Sequence, residues 1–181
     1  MRRRIIVELL TNYAPTDGDE ICMRSRMLEF VLNNAHCFDR SCEPGHITGS
    51  AWVVNPARSH VLLTHHRKLN RWFQPGGHSD GDHDTRHVAW REASEETGVP
   101  DVRMVTSSVF DLDIHSIPAR KHEPEHLHYD VRFLFEADDT VPLVVSEESN
   151  ALAWVSIEEV QALNNERSML RMVEKTRQLK A

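Results

Sequence analysis

Three glutamates spaced i, i+3 and i+4 constrain this chain more than any other feature. In Arg91-Glu92-Ala93-Ser94-Glu95-Glu96-Thr97-Gly98-Val99 a helix projects Glu92, Glu95 and Glu96 from one face. Clustered anions repel one another unless a cation joins them. Oxygen-rich sets of this kind suit Mg²⁺ or Mn²⁺, ions that often also coordinate substrate phosphates. Just upstream, Pro75-Gly76-Gly77 reads as a turn whose bare backbone lets a ligand approach closely. The pattern points to metal-assisted chemistry on a phosphate ester or anhydride.

The carboxylate helix, expected at 85–97, interrupts strand-like runs at 49–54, 61–64, 104–114, 126–135 and 151–155. These are rich in β-branched and aromatic residues and bounded by turn formers. A last helical stretch covers 157–179, broken near Asn164-Asn165. This order predicts an α/β fold, a mixed sheet packed between helices. Residues 1–45 read as an N-terminal helical extension and 46–181 as the domain that carries the chemistry. In the extension, Leu9, Leu10 and Tyr13 form one apolar face and Met27, Leu28, Val31 and Leu32 another, with a turn and helix cap at Pro15–Asp19. It is expected either to pack on the main domain or to form a homodimer contact.

A chain of 181 residues has room for one ordinary core. Its formal charge of −7 argues against non-specific nucleic-acid binding. No stretch is long and apolar enough to span a bilayer, so no membrane partner is expected. Arg2-Arg3-Arg4 followed by Ile5-Ile6-Val7 resembles the start of a signal peptide, but Glu8, Asn12 and Tyr13 interrupt the apolar run. Cys22, Cys37 and Cys42 are an odd number without CxxC spacing, which fits reduced thiols in a cytoplasmic protein.

The segment resembles the Nudix box, G-x5-E-x7-R-E-U-x-E-E-x-G-U, with U a bulky aliphatic residue. Gly77, Arg91, Glu92, Glu95, Glu96, Gly98 and Val99 fall in register. Ala93 is small for its position, and His83 stands where the first glutamate belongs, with Asp80 and Asp82 close enough to substitute. The resemblance implies a Nudix-type α/β/α sandwich and a pyrophosphohydrolase using Mg²⁺ or Mn²⁺. Glu92, Glu95 and Glu96 are the implied ligands, Glu92 and Glu96 foremost, with the Gly76 carbonyl adding an oxygen. It also implies that Arg91 pairs with a neighbouring glutamate to fix its rotamer. A catalytic or metal-binding glutamate from a later loop would fall at Glu148, with Glu147 beside it.

Twelve histidines are a second signal. His126, His128 and Asp130 alternate along a strand and share a face, expected to look into a cleft or solvent. Leu127, Tyr129, Val131 and Phe133 point to the core. His46 and His78 could converge on the same place, binding phosphates or a softer metal such as Zn²⁺. His60, His65, His66, His87, His115 and His122 read as surface residues. The run Trp72–His78 is also similar to a segment of isopentenyl diphosphate isomerases, Nudix-fold enzymes that hold a metal with histidines and glutamates. Their catalytic cysteine would fall at Gly76, which disfavours isomerase activity.

The small-molecule partner is expected to be a nucleoside diphosphate derivative. Leu63-Thr64-His65-His66-Arg67 is similar only to the start of the coenzyme A diphosphatase motif, and the NADH-diphosphatase signature is absent. Arg71, His78 and Arg120 are the candidate substrate-binding residues, with Lys68 and Lys121 as further cations and Trp72 or Phe73 available to stack on a base. The alternative within the same fold is a nucleotide-sensing domain that has lost turnover, with His83 as its mark.

Overall fold

A computed structural model describes residues 2–119, 124–147 and 149–179. Two helices come first, α1 (Arg4–Asn12) and α2 (Gly18–Asn33). Four strands follow: β1 (Gly45–Val54), β2 (His60–His66), β3 (Arg71–Phe73) and β4 (Gly76–His78). Helix α3 (Thr85–Thr97) carries the carboxylates. Then come β5 (Arg103–Met104), β6 (Asp111–Ile117), β7 (His126–Glu136) and β8 (Ser149–Ser156). Helices α4 (Val160–Leu163) and α5 (Arg167–Gln178) close the chain.

All eight strands join one mixed sheet. β1 and β7 run parallel along the whole of β1, from Gly45 opposite Leu127 to Val54 opposite Glu136. Parallel neighbours need a long crossover, and the chain between them supplies α3 on the way. Every other pairing is antiparallel: β2 with the end of β1, with β3 and with β8; β4 with the start of β1; β5 and β6 with β7.

Alternation along β1 and β7 builds two cores. Ile47, Ala51, Val53, Val131 and Phe133 face Ala89 and Ala93 of α3 together with Ile6, Leu10, Met27, Phe30 and Val31 of the N-terminal helices. Trp52, Val54 and Leu134 face Met169, Met172 and Val173 of α5. Helices thus cover both faces, giving the expected α/β/α sandwich. α3 stops at Gly98, whose φ of +67 is the left-handed C-cap that glycine adopts without strain.

The N-terminal extension is helical to Asn33 and packs on the main domain. The Phe30 ring stacks on Tyr129 of β7 at 3.9 Å. Asp17 caps α2 by accepting from the backbone N–H of Asp19 and Glu20, as its turn composition implies. Beyond Asn33 the chain runs in turns rather than helix, yet Cys37 and Phe38 are buried in the same core.

Three sequence readings need correction. The run 104–114 is not one strand. It leaves β7 after Val105, whose N–H donates to the Leu134 carbonyl, and rejoins at Phe110, bonded to the Arg132 carbonyl. The intervening Thr106-Ser107-Ser108 turns on its own side chain, the Ser108 N–H donating to Thr106 Oγ1. Pro75-Gly76-Gly77 is not simply a turn, since Gly76–His78 pairs with Thr48–Ser50 as a short strand. Lacking side chains, the glycines can lie flat between neighbours: a Cβ on Gly76 would meet Ser50 Oγ at 2.1 Å.

The third correction concerns the polar face of β7, which looks neither into a cleft nor into solvent at Asp130. That residue is 2% exposed and accepts from Thr48 Oγ1 (2.9 Å), Ser50 Oγ (2.8 Å) and Arg132 Nε (2.8 Å). Arg132 reaches on to Asp111 and Asp113. Arg171 of α5 then forks onto both Asp111 oxygens at 2.7 and 2.8 Å. Lys175 joins Asp111 to Glu20 of α2, at 2.8 Å from each. Glu20 accepts from the Leu112 N–H at 2.9 Å while Arg171 donates to the Leu112 carbonyl at 2.6 Å. Side chains from opposite ends of the chain thereby satisfy the open backbone of β6, a usual answer to an exposed sheet edge.

Candidate active site

The sequence makes α3 a helix with two working surfaces. Val88, Ala89 and Ala93 are small enough to bring it close to β1, where a Cβ on Gly49 would touch Thr85 O at 2.7 Å. That close approach presses the acidic side against β4. Glu96 Oε1 accepts from the Gly76 N–H at 3.3 Å. The Glu92 carboxylate lies against Gly77, so that a Cβ there would stand 2.6 Å from its carboxyl carbon. Glu95 is exposed on the rim.

Arg91 fixes the geometry from the other side. Its guanidinium donates to Glu92 Oε1 at 2.7 Å and to the His78 carbonyl at 2.9 Å, tying α3 to β4. The bond to Glu92 holds the guanidinium pKa above its ordinary value, against the opposing effect of desolvation. The pairing implied by the Nudix resemblance is therefore present, and one hydrogen bond extends it to the strand. Two carboxylates one helical turn apart, braced on glycine backbone, form an oxygen set of the kind hard divalent cations favour.

Gly77 is the sharpest constraint on that set. Gly77→Ala should leave the fold standing, since Glu92 can swing its carboxylate away, and should lower turnover by about 100-fold, the scale of a roughly 1 Å misplacement. An unchanged melting temperature with lost activity is the expected outcome, read by thermal denaturation beside a turnover assay.

A family model for the NUDIX domain matches residues 46–176. The chain belongs to the NUDIX family. It is 27% identical over 108 residues to the bis(5'-nucleosyl)-tetraphosphatase [asymmetrical] of Rattus norvegicus, a match covering 59% of this chain and 70% of the rat protein. Its fold is similar to a C. elegans Ap4A hydrolase in a binary complex, with a TM-score of 0.53 and 17% identity over 73% of this chain and 95% of that one. It is similar also to the NUDIX domain of Shewanella oneidensis NrtR complexed with ADP ribose, with a TM-score of 0.50 and 16% identity over 83% and 96%. The reaction class is that of a pyrophosphohydrolase.

Within this Nudix domain the other candidate residues are scattered. His83, at the position of the first box glutamate, sets its ring edge against Phe38 at 5.1 Å. Neither neighbouring aspartate is idle: Asp80 takes a two-point contact from Arg40, which lowers its pKa, and Asp82 accepts from His87 Nδ1 at 2.5 Å and from the Asp84 N–H. Arg71 is engaged with Glu166 (2.6 Å) and Asn164 (3.2 Å), bracing β3 against the start of α5. Trp72 is partly buried on the α5 side, while Arg71 sits over the Phe73 ring. Lys68 and Glu147 are exposed. Glu148, Arg120, Lys121 and His122 lie outside the described residues.

The histidines do converge, on the opposite face of the sheet from α3. His46 and His128 are direct neighbours across β1 and β7, and His78 follows on β4. Their ring centroids lie 4.8–5.0 Å apart. His126 joins at 4.9 Å from His46. His115, read as a surface residue, instead borders the group at 5.4 Å from His128, because β6 pairs in register beside it. Burial, with smaller contributions from His78 and the other neighbouring rings, pushes His46 down to about 4 and His128 to about 2. These rings are accordingly neutral at pH 7.

Proposed function

We propose that this Nudix enzyme hydrolyses the diphosphate bond of a nucleoside diphosphate linked to another moiety, with Mg²⁺ or Mn²⁺ held by Glu92, Glu95 and Glu96. The observation that carries the reading is the bracing of Glu92 and Glu96 on the backbone of Gly76 and Gly77. The residues fit such an ion: the donors are carboxylate oxygens, and the bare glycines leave them room. When bound, the cation offsets charge on the phosphoryl oxygens and lowers the pKa of a coordinated water.

The chain's own groups do the positioning. Arg91 fixes the Glu92 rotamer and couples it to β4 through the His78 carbonyl. The Gly76 N–H holds Glu96, and the Gly76 carbonyl is the further oxygen proposed for the ion. Glu95, which is exposed, or Glu148 is the candidate to take the proton of the attacking water. His78, Arg71 and Arg120 remain the candidates for substrate phosphates, Arg71 only by exchanging its contact with Glu166.

The rat relative named for a dinucleoside tetraphosphate and the neighbour bound to ADP ribose both support a nucleotide-derived substrate. The free thiols Cys22, Cys37 and Cys42 agree with a cytoplasmic setting. No helix among the described residues is long and apolar enough to cross a membrane.

A phosphate-release screen tests the reading. Dinucleoside polyphosphates, ADP-ribose, nucleotide sugars, NADH, coenzyme A and nucleoside triphosphates would each be supplied with Mg²⁺ or Mn²⁺. One class should turn over, and turnover should stop on addition of EDTA. Silence across the panel, with a nucleotide still raising the melting temperature, would favour the sensing domain that His83 at the first box position suggests. Turnover of a prenyl diphosphate alone would point to isomerase-like chemistry.

A further inference from the structure

We propose that His46, His78 and His128 form a ligand set for a borderline-soft divalent metal of the Zn²⁺ class, separated from the carboxylates by the thickness of β4. The site shares no ligand with α3, so it is tested apart from the carboxylates, and it assigns to a metal the His78 otherwise offered to substrate phosphates.

Sheet topology assembles it. β1, β4 and β7 contribute one histidine each, all on the face that also carries Thr48 and Ser50. One nitrogen from each ring lies within 4.8 Å of the other two. A tetrahedral Zn²⁺ with Zn–N bonds of ~2.0–2.1 Å spaces its imidazole nitrogens by about 3.3 Å, so any pair must close by no more than about 1.5 Å. Small side-chain rotations supply that movement.

The second observation is unmet hydrogen bonding. His46 is 3% exposed, and neither Nδ1 nor Nε2 has a hydrogen-bond partner among the described residues. His128 Nε2 is buried in the same condition. Buried polar atoms are almost always paired, and orphans call for a missing partner. A cation supplies one here, because a neutral imidazole offers a lone pair and imidazole suits Zn²⁺ better than Mg²⁺.

The surroundings are arranged as an outer layer. His126 Nδ1 faces the Pro124 carbonyl at 2.9 Å; a carbonyl only accepts, so Nδ1 carries the hydrogen and Nε2 keeps its lone pair. His115 Nδ1 is likewise held by Asp113 Oδ2 at 3.0 Å. Hydrogen bonds of this type fix tautomers around metal sites. Three protein ligands leave a fourth position, for water or an exogenous oxygen, with His126 beside it.

Zinc alone is the probe. The full chain, stripped by a chelator and dialysed, would be titrated with Zn²⁺ as wild type, Glu96→Gln, His46→Gln and His128→Gln, with a melting curve for each. One tight equivalent should persist in wild type and Glu96→Gln. Either histidine variant should weaken it by more than about 100-fold, beyond the range of outer-layer changes. Because His46 is buried and its variant could misfold, wild-type crystals equilibrated with Zn²⁺ give a second measurement, with an anomalous peak expected among the three rings. A peak at the α3 carboxylates alone, an ordered water between the rings, or Zn²⁺ affinity lost only in Glu96→Gln would overturn the site.

Discussion

Glu96→Gln should abolish turnover, by at least about 10³-fold, while leaving the fold intact. The magnitude follows from the chemistry: metal-borne stabilisation of transferring phosphoryl charge is worth several kcal/mol, and each ~1.4 kcal/mol is tenfold in rate. Glutamine keeps the volume and can still accept from the Gly76 N–H, now at 3.3 Å. The variant therefore isolates the carboxylate charge. Comparing kcat and melting temperature for wild type and variant decides the point. Normal turnover in Glu96→Gln would move the chemistry away from α3.

The second large effect concerns stability. Arg171 is 2% exposed and bonds Asp111 twice, with Lys175 and Glu20 completing the cluster. Arg171→Ala leaves Asp111, itself fully buried, short of a fork of two charged donors. Removing one partner from such a cluster costs about 3–5 kcal/mol. In a chain of this size that is a fall in melting temperature of about 6–20 °C. The exposed pair of Arg177 with Glu158 gives the contrast, since Arg177→Ala should change stability by less than about 1 kcal/mol. Urea unfolding of the two variants side by side measures the difference, and equal effects would mean that the buried cluster contributes nothing beyond a surface pair.

Much of this molecule was legible in the order of its residues. The span of α3 follows from its periodicity and from Gly98, which stops it in the left-handed region. The core face of β7 follows from strict alternation, with Tyr129, Val131 and Phe133 all buried. The Nudix register picked out Arg91 and the glutamates, and their contacts with one another and with the glycines before the helix are local. The break between α4 and α5 came at Asn164, as the asparagine pair implied.

What escaped was long-range. Nothing near Glu20 in the sequence indicates that it lies against Leu112 and Lys175, 92 and 155 residues away. Read alone, Asp130 on an alternating strand looks like an outward-facing polar residue; only Thr48 and Ser50 of β1, with Arg132 bridging on to Asp111 and Asp113, make it interior. His115 joined the histidine group because β6 pairs in register with β7, a choice made by the sheet as a whole. The sequence by itself determined the carboxylate helix and the strand alternation, because both depend on contacts a few residues apart. Tertiary structure alone decided which polar residues face inward, because burial of a charge depends on partners supplied by distant segments.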